Sequence, residues 1–292
     1  MARARQRSVW DLPDDRFLCA AYNLFLRREP DEHGAAHYLG LLASGEMGRE
    51  DVLDHLRWSP EFHHRVPVRD SQLGGSIHLS RSEFIAGLPP GRHILDLGGS
   101  SSYSEWGAMV AMGYPYSFEA LTIVDLPPDD RHELYRWENL PTAVDSPNGP
   151  VAYAYHSMTD LGRYADASFD LVYSGQTIEH IVPEVAAHVL AEVHRVLRPG
   201  GHLGLDTPNA RATRAQQAEF IDPDHKVEYT HAEMVALLEG AGLAVREAKG
   251  LNYVGRSLAE GGFSIEEAAG NPGIFAAPED CYLLAYVCRK GA

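Results

Sequence analysis

Two patterns of apolar residues divide the chain. From Pro13 to Arg69 apolar positions recur at helical spacing, in short blocks broken by turn residues. Phe17, Leu18, Ala21, Tyr22, Leu24, Phe25 and Leu26 form the first apolar face, which Pro30-Asp31 stops. A second block over 32–42 ends near Ser44-Gly45, and a third runs from Arg49 to Trp58 before Ser59-Pro60. This spacing predicts a small all-α domain. Residues 66–80 read as a connector and 81–88 as a short helix ended by Pro89-Pro90. Beyond them, short apolar runs alternate with helical stretches, the mark of a parallel α/β sheet. The runs predict strands at 93–97, 121–124, 151–156, 169–174, 202–205, 243–247 and 281–288, with helices at 183–197 and 231–241. The expected architecture is α/β with seven strands closing in a hairpin-like pair, behind a helical domain. The expected domains are 1–68 and 69–292.

Composition narrows the partners. Of 292 residues 45% are hydrophobic, ample for two cores. Asp and Glu number 41 against 25 Lys and Arg, a formal net charge of −16. Residues 1–70 hold 10 basic and 12 acidic side chains and the remainder 15 and 29, so the larger part carries the negative field. That field opposes counterion release on polyanions and repels anionic membranes, which argues against general nucleic-acid binding. No run approaches the roughly 18–20 apolar residues of a membrane span, and no signal-like apolar segment follows the basic N-terminus. The expected setting is therefore cytoplasmic and reducing. Cys19, Cys281 and Cys288 fit neither a disulfide framework nor a zinc knuckle, and Cys281 and Cys288 read as core thiols.

The strand at 93–97 ends in Asp96-Leu97-Gly98-Gly99. Glycines there let the backbone turn sharply and approach a ligand, and a following helix offers free N–H groups. A dinucleotide fingerprint needs glycines farther on, where Ser100 and Tyr103 stand, so the nicotinamide reading fails. With LTIVDL, ASFDLVYSGQTIEHI and VHRVLRPGGHLGLDTPN, the turn resembles the class I S-adenosylmethionine (SAM)-dependent methyltransferases. That resemblance implies a Rossmann-like seven-stranded sheet with its last strand antiparallel, and SAM as cofactor. It places Gly98 and Gly99 against the amino-acid part of SAM, with Asp96 ordering the turn, and Asp125 on the ribose hydroxyls. Ser157 and Met158 fall at the adenine position, where many relatives have an acid, and Gln176 falls where cofactor and acceptor pockets meet. The helical stretch, through Arg28-Glu29-Pro30-Asp31, Gly34, Tyr38, Leu42, Ser44-Gly45 and Ser59-Pro60-Glu61-Phe62, closely resembles the domain of unknown function DUF4214. That module accompanies many different enzymes and surface proteins and assigns no chemistry.

Methyl transfer to oxygen is an in-line displacement in which alignment supplies much of the rate and a base removes the acceptor proton. Ligands of open α/β sheets bind at the C-terminal strand ends. The candidates are then Gln176, Glu179 and His180 after the fourth strand, Asp206 and Asn209 after the fifth, and the loop 220–229. Gln176-x-x-Glu179-His180 resembles the Glu-x-x-Glu-His motif of small-RNA 2′-O-methyltransferases and some quinone-pathway O-methyltransferases, and His225 is the counterpart of their later histidine. This implies a divalent metal (Mg, Mn, Fe or Zn) on Gln176, Glu179, His180 and His225, polarising acceptor hydroxyls. The departure is Gln176, whose amide is a weaker ligand than a carboxylate. Two alternatives stand beside it: His180 or His225 as a metal-free general base, and a structural Glu179-His180 that opens a helix.

Residues 250–279, with Tyr253, Phe263 and Phe275, read as a lid over the acceptor. Arg211 and Arg214 are candidates for a phosphate or carboxylate, and Asp222, Asp224 and Glu228 for sugar hydroxyls. The expected activity is O-methylation of a hydroxyl on a small polar acceptor: a sugar, glycan or natural-product intermediate of secondary metabolism or cell-surface biosynthesis. Three readings compete with it. They are C- or N-methylation of a small metabolite, RNA methylation, which the charge opposes, and an inactive scaffold. The helical domain is a candidate surface for a partner or for a homo-oligomer.

Overall fold

The computed structural model describes residues 10–291 except 11, 27, 58, 60, 62–67, 102–103 and 133–140. The expectations for Trp58, Pro60, Phe62 and Tyr103 lie outside the described residues. The strands are β1 (His93–Leu97), β2 (Ala120–Asp125), β3 (Ala143–Ser146), β4 (Gly149–Tyr155), β5 (Phe169–Gly175), β6 (Leu197–Pro208), β7 (Leu243–Tyr253), β8 (Ile274–Phe275) and β9 (Cys281–Lys290). They form one nine-stranded sheet in the order β3-β4-β2-β1-β5-β6-β9-β7-β8. All seven expected strands are present. β4, β2, β1, β5 and β6 run parallel, and β9 inserts antiparallel between β6 and β7. The expected count of seven is corrected by two short edge strands, β3 on β4 and β8 on β7.

The central strands read as unbroken apolar runs because both faces of the sheet are covered. Ile94, Leu171 and Tyr173 enter one core, while their neighbours Leu95, Leu97 and Val172 enter the other. A third core belongs to the N-terminal helices α1 (Asp14–Leu26), α2 (Glu32–Ser44) and α3 (Arg49–Arg57), where Phe17, Leu18, Val52 and Leu56 are buried.

Helix α4 (Val68–Ala86) overturns the expected connector at 66–80. Its two glycines and four serines disfavour a helix, but tertiary contacts outweigh propensity. Leu73, Phe84 and Ile85 are buried in a sheet core, Leu79 packs on the core of α1 to α3, and Ser76 and Ser80 receive hydrogen bonds from Asn252 and Gly273. Segment 250–279 is likewise no open lid. It contains α9 (Gly255–Ala259), α10 (Ile265–Gly270) and β8, and it docks on α4 through those serines. In chain order the remaining helices are α5 (Ala108–Ala111), α6 (Pro183–Val196), α7 (Ala210–Gln216) and α8 (His231–Gly240). No helix of the described residues is long and apolar enough to cross a membrane.

Candidate active site

The chain leaves β1 toward β2 on one side and β5 toward β6 on the other, so a crevice opens at the C-terminal ends of β1 and β5. A cavity of about 570 Å³ lies there, within the usual range for small-molecule sites. Gly98, Ser100 and Ser101 line it after β1, Asp125 and Leu126 after β2, His156 and Met158 after β4, and Gln176, Thr177 and His180 after β5.

Gly98 turns the backbone with φ 75°, in the region that favours glycine, and a Cβ there would overlap Thr177. Gly99 lies behind it, where a Cβ would overlap the Asp96 carboxylate. Asp96 sits under the turn, 1% exposed, and neither carboxylate oxygen accepts a hydrogen bond. Burial pushes its carboxyl up to about 8; Arg81 opposes the rise, and Asp125 and Asp206 add to it. Asp125 is in the wall itself, with Oδ1 accepting from the Leu126 N–H at 2.7 Å and Oδ2 3.6 Å from Arg131. Ser157 is outside the lining: its hydroxyl pairs with Thr159 at 2.8 Å, and the wall is made by its neighbours His156 and Met158.

The structure brings three of the four proposed metal ligands together. One ligand atom each from Glu179, His180 and His225 lies within 4.8 Å of the others. The His180 and His225 rings meet edge to face at 4.9 Å. Each histidine uses Nδ1 on a carboxylate, His180 on Asp224 at 3.1 Å and His225 on Glu228 at 2.9 Å. Glu179 is fully buried; Oε2 accepts from Thr207 at 3.0 Å, and Oε1 has no hydrogen-bond partner. Burial pushes its carboxyl up to about 7. Burial, then the neighbouring His225, draws His180 below the usual imidazole value. Burial draws His225 down too, but the Glu228 hydrogen bond and the charges of Glu179 and Asp222 carry it above that value.

Gln176 lines the cavity and is held by Asp206. Its backbone is left-handed (φ 56°), a conformation held by two bonds to one residue: backbone N to the Asp206 carbonyl at 2.8 Å and Nε2 to Asp206 Oδ1 at 2.9 Å. Asp206 is fully buried and outside the cavity lining; Arg81 Nε donates to it at 2.7 Å and the Tyr173 hydroxyl at 2.5 Å. The expected sugar and anion contacts are also engaged within the protein. Arg211 pairs with Asp280, Glu228 with His225 and Thr213, and Asp224 with His180 and Lys226. Asn23, His78, Arg81, Arg131 and His156 line the cavity without having been singled out in the sequence. Asn23, His78 and Arg81 come from α1 and α4, which no strand-end rule reaches.

Comparison with known proteins agrees with this geometry. The family model described as a methyltransferase domain matches residues 116–205, and the domain of unknown function DUF4214 matches residues 2–66. A "Probable S-adenosylmethionine-dependent methyltransferase" of Mycolicibacterium smegmatis is 39% identical over 126 residues, covering 42% of this chain and 48% of its own. The chain thus spans about half the length of that curated relative. Among solved structures, a chain from the complex of the Haloferax volcanii Trm112 methyltransferase activator with a methyltransferase superposes with a TM-score of 0.51 at 19% identity. That alignment covers 77% of this chain and 93% of the other, and it shows the shared fold. A SAM-dependent methyltransferase from Mesorhizobium loti gives 0.45 at 18% identity over 71% and 95%. The fold and its switch-point cavity define a Rossmann-like α/β protein. Residues 116–205 carry a methyltransferase domain and residues 2–66 a DUF4214 domain ahead of the sheet, and the chain is similar to class I SAM-dependent methyltransferases.

Proposed function

We propose that this protein transfers the methyl group of SAM to a hydroxyl oxygen of a small polar acceptor, a sugar, glycan or natural-product intermediate, with a divalent metal assisting. One observation carries the reading. The glycine turn and Asp125 share the wall of a single cavity with His180, so a cofactor-binding edge and a proton-accepting edge face the same space. Asp125 accepts hydrogen bonds from the ribose hydroxyls, the Gly98 turn admits the amino-acid end, and His156 and Met158 flank the adenine. Because His180 gives its Nδ1–H to Asp224, the neutral ring keeps its lone pair on Nε2, which ligates the metal or, without one, acts as a general base. SAM supplies a methyl on a sulfonium whose charge disappears on transfer, so the wall needs alignment more than ground-state attraction.

The donor set supports the metal. Glu179 offers a buried oxygen without a partner, and two imidazoles, each oriented by a carboxylate on Nδ1, add nitrogens. Two nitrogens and an oxygen suit a borderline cation such as Zn²⁺, Fe²⁺ or Mn²⁺. Bound there, it would lower the pKa of an acceptor hydroxyl. Gln176, whose Nε2 is held by Asp206, would add its amide oxygen, a weaker ligand than a carboxylate. The negative field favours a neutral or cationic acceptor in a cytoplasmic setting. The working division is a helical domain over 1–68 and a catalytic domain over 69–292, with α4 packed into the cores of both.

Titration calorimetry with S-adenosylhomocysteine tests the cofactor reading. The wild type binds, and Asp125→Ala binds about a hundredfold more weakly, the loss of two hydrogen bonds to one charged group. A wild type that does not bind favours the inactive scaffold. Label from methyl-labelled SAM recovered on nitrogen or carbon of the acceptor would remove O-methylation and leave the cofactor reading standing.

A further inference from the structure

Asn23 is a residue of the DUF4214 module, yet it lines the cavity at the end of the methyltransferase sheet. It is 5% exposed, and its side-chain oxygen Oδ1 has no hydrogen-bond partner. Its orientation is determined by the partner of its other end. Nδ2 donates to the Cys19 carbonyl at 2.9 Å, and because a carbonyl can only accept, the nitrogen must face Cys19 and the oxygen must face away. A buried amide oxygen without a donor is costly to keep in an empty protein, so its natural counterpart is a donor on whatever fills the cavity.

The placement of α1 says which ligand that is. Arg16, two helical turns before Asn23 and so on the same face of α1, donates to the carbonyls of Val110 at 3.2 Å and Tyr114 at 3.3 Å and bonds Asn148. This clasp lays α1 along α5, the helix entered from the Gly98-Gly99 turn. Ala108 and Ala111 of α5 and Met112 beside it line the cavity together with Asn23, Arg81 and Ser100. A buried hydrogen-bond acceptor therefore lines the same cavity as Gly98 of the glycine turn. Its chemistry matches the ammonium of an α-amino acid end, which donates.

We infer that Asn23 binds the cofactor, its Oδ1 accepting from the ammonium of the methionine moiety, so that the N-terminal module completes the SAM site. This rests on the reading of the cavity as the SAM site. It makes the DUF4214 module part of the site, because the cofactor edge is incomplete without α1.

The test uses the full chain and S-adenosylhomocysteine as the probe, with calorimetric Kd and thermal midpoint measured on each variant. Asn23→Leu, which keeps the volume and removes the oxygen, weakens binding about tenfold at an unchanged midpoint. Asn23→Asp, which keeps an acceptor oxygen at that point, stays within about threefold of wild type. Wild-type affinity in Asn23→Leu overturns the inference, and so does an equal loss in both variants, which would mark a packing role. A wild type that does not bind the probe removes the SAM reading itself, a result distinct from either.

Discussion

Two clusters of charged side chains on turns, one in each half of the molecule, use the same residue types for opposite ends. In the helical module, Arg28 grips Glu61 with Nε and Nη2 at 2.8 and 2.9 Å and reaches Asp31 at 2.9 Å, while Asp31 accepts the Gly34 N–H at 2.8 Å as the cap of α2. These groups are partly exposed, and the bonds close on one another. Beside the cavity, Glu179, His180 and His225 are drawn to within 4.8 Å, and a fully buried carboxylate oxygen is left over. Burial without a partner is expensive, so a fold keeps such a group only where something else repays it. What distinguishes these two clusters is therefore the unmatched atom and not the charge. By that measure the DUF4214 motif residues Arg28, Asp31 and Glu61 are scaffolding, while Asp96, Glu179 and Asn23 are poised.

The strongest way to break this contrast is to remove a nitrogen from the open cluster. Since disturbing an outer partner of a metal ligand already costs tenfold to a hundredfold in affinity, His225→Ala should lower Mn²⁺ or Zn²⁺ affinity by at least about a hundredfold. Calorimetry with the metal alone, and metal content after dialysis, read this out, with S-adenosylhomocysteine affinity as the check that the fold survives. A wild type that holds neither ion, or a variant that holds them equally, ends the metal reading and leaves His180 as a metal-free base.

The second test concerns Asp96, whose buried carboxyl is pushed up to about 8, with Arg81 lowering it and Asp125 and Asp206 raising it. Between the ordinary carboxylate range and pH 8 the folded chain holds a proton that the unfolded chain has lost. Stability therefore falls as pH rises through that window, by at most about 1.4 kcal/mol per unit. Asp96→Asn, a neutral mimic of the protonated acid, removes that decline and should gain stability relative to wild type from pH 5 to pH 8 in urea unfolding series. Parallel curves for the two proteins would show that Asp96 is ionised in the fold.

The sequence disclosed most where burial is two-sided. Strands with both faces covered must be apolar throughout, so β1, β5 and β9 were legible as runs. β8 has two residues, and β3 is the half-exposed Ala-Val-Asp-Ser, too short and too mixed to form one. Helix α4 reads locally as a connector because Gly74, Gly75 and its serines mark turns. Its partners Asn252 and Gly273 lie 176 and 193 residues away from Ser76 and Ser80. Site residues divide in the same manner. Gly98 and Asp125 stand at strand ends and could be found by position, whereas Asn23, His78 and Arg81 reach the cavity from helices ahead of the sheet. Gln176 did carry a signal: an amide stands where a carboxylate ligand is expected, and in the fold its Nε2 bonds Asp206.

The smallest effect belongs to the closed cluster. Glu61→Ala releases Arg28, yet both side chains are about 30% exposed, where screening leaves even a two-pronged ion pair worth little. The expected loss is about 0.5–1 kcal/mol, shrinking in high salt, with S-adenosylhomocysteine affinity unchanged. The second half of that expectation is the informative one. Arg28 lies just beyond the end of α1, the helix that carries Asn23 into the cavity, so the clasp could in principle set the height of that helix. The Arg16 bonds to Val110 and Tyr114 hold α1 against the sheet domain independently of Glu61. If affinity nevertheless falls with Glu61→Ala, the clasp positions Asn23, and the line between scaffolding and site runs through α1 rather than between the two halves.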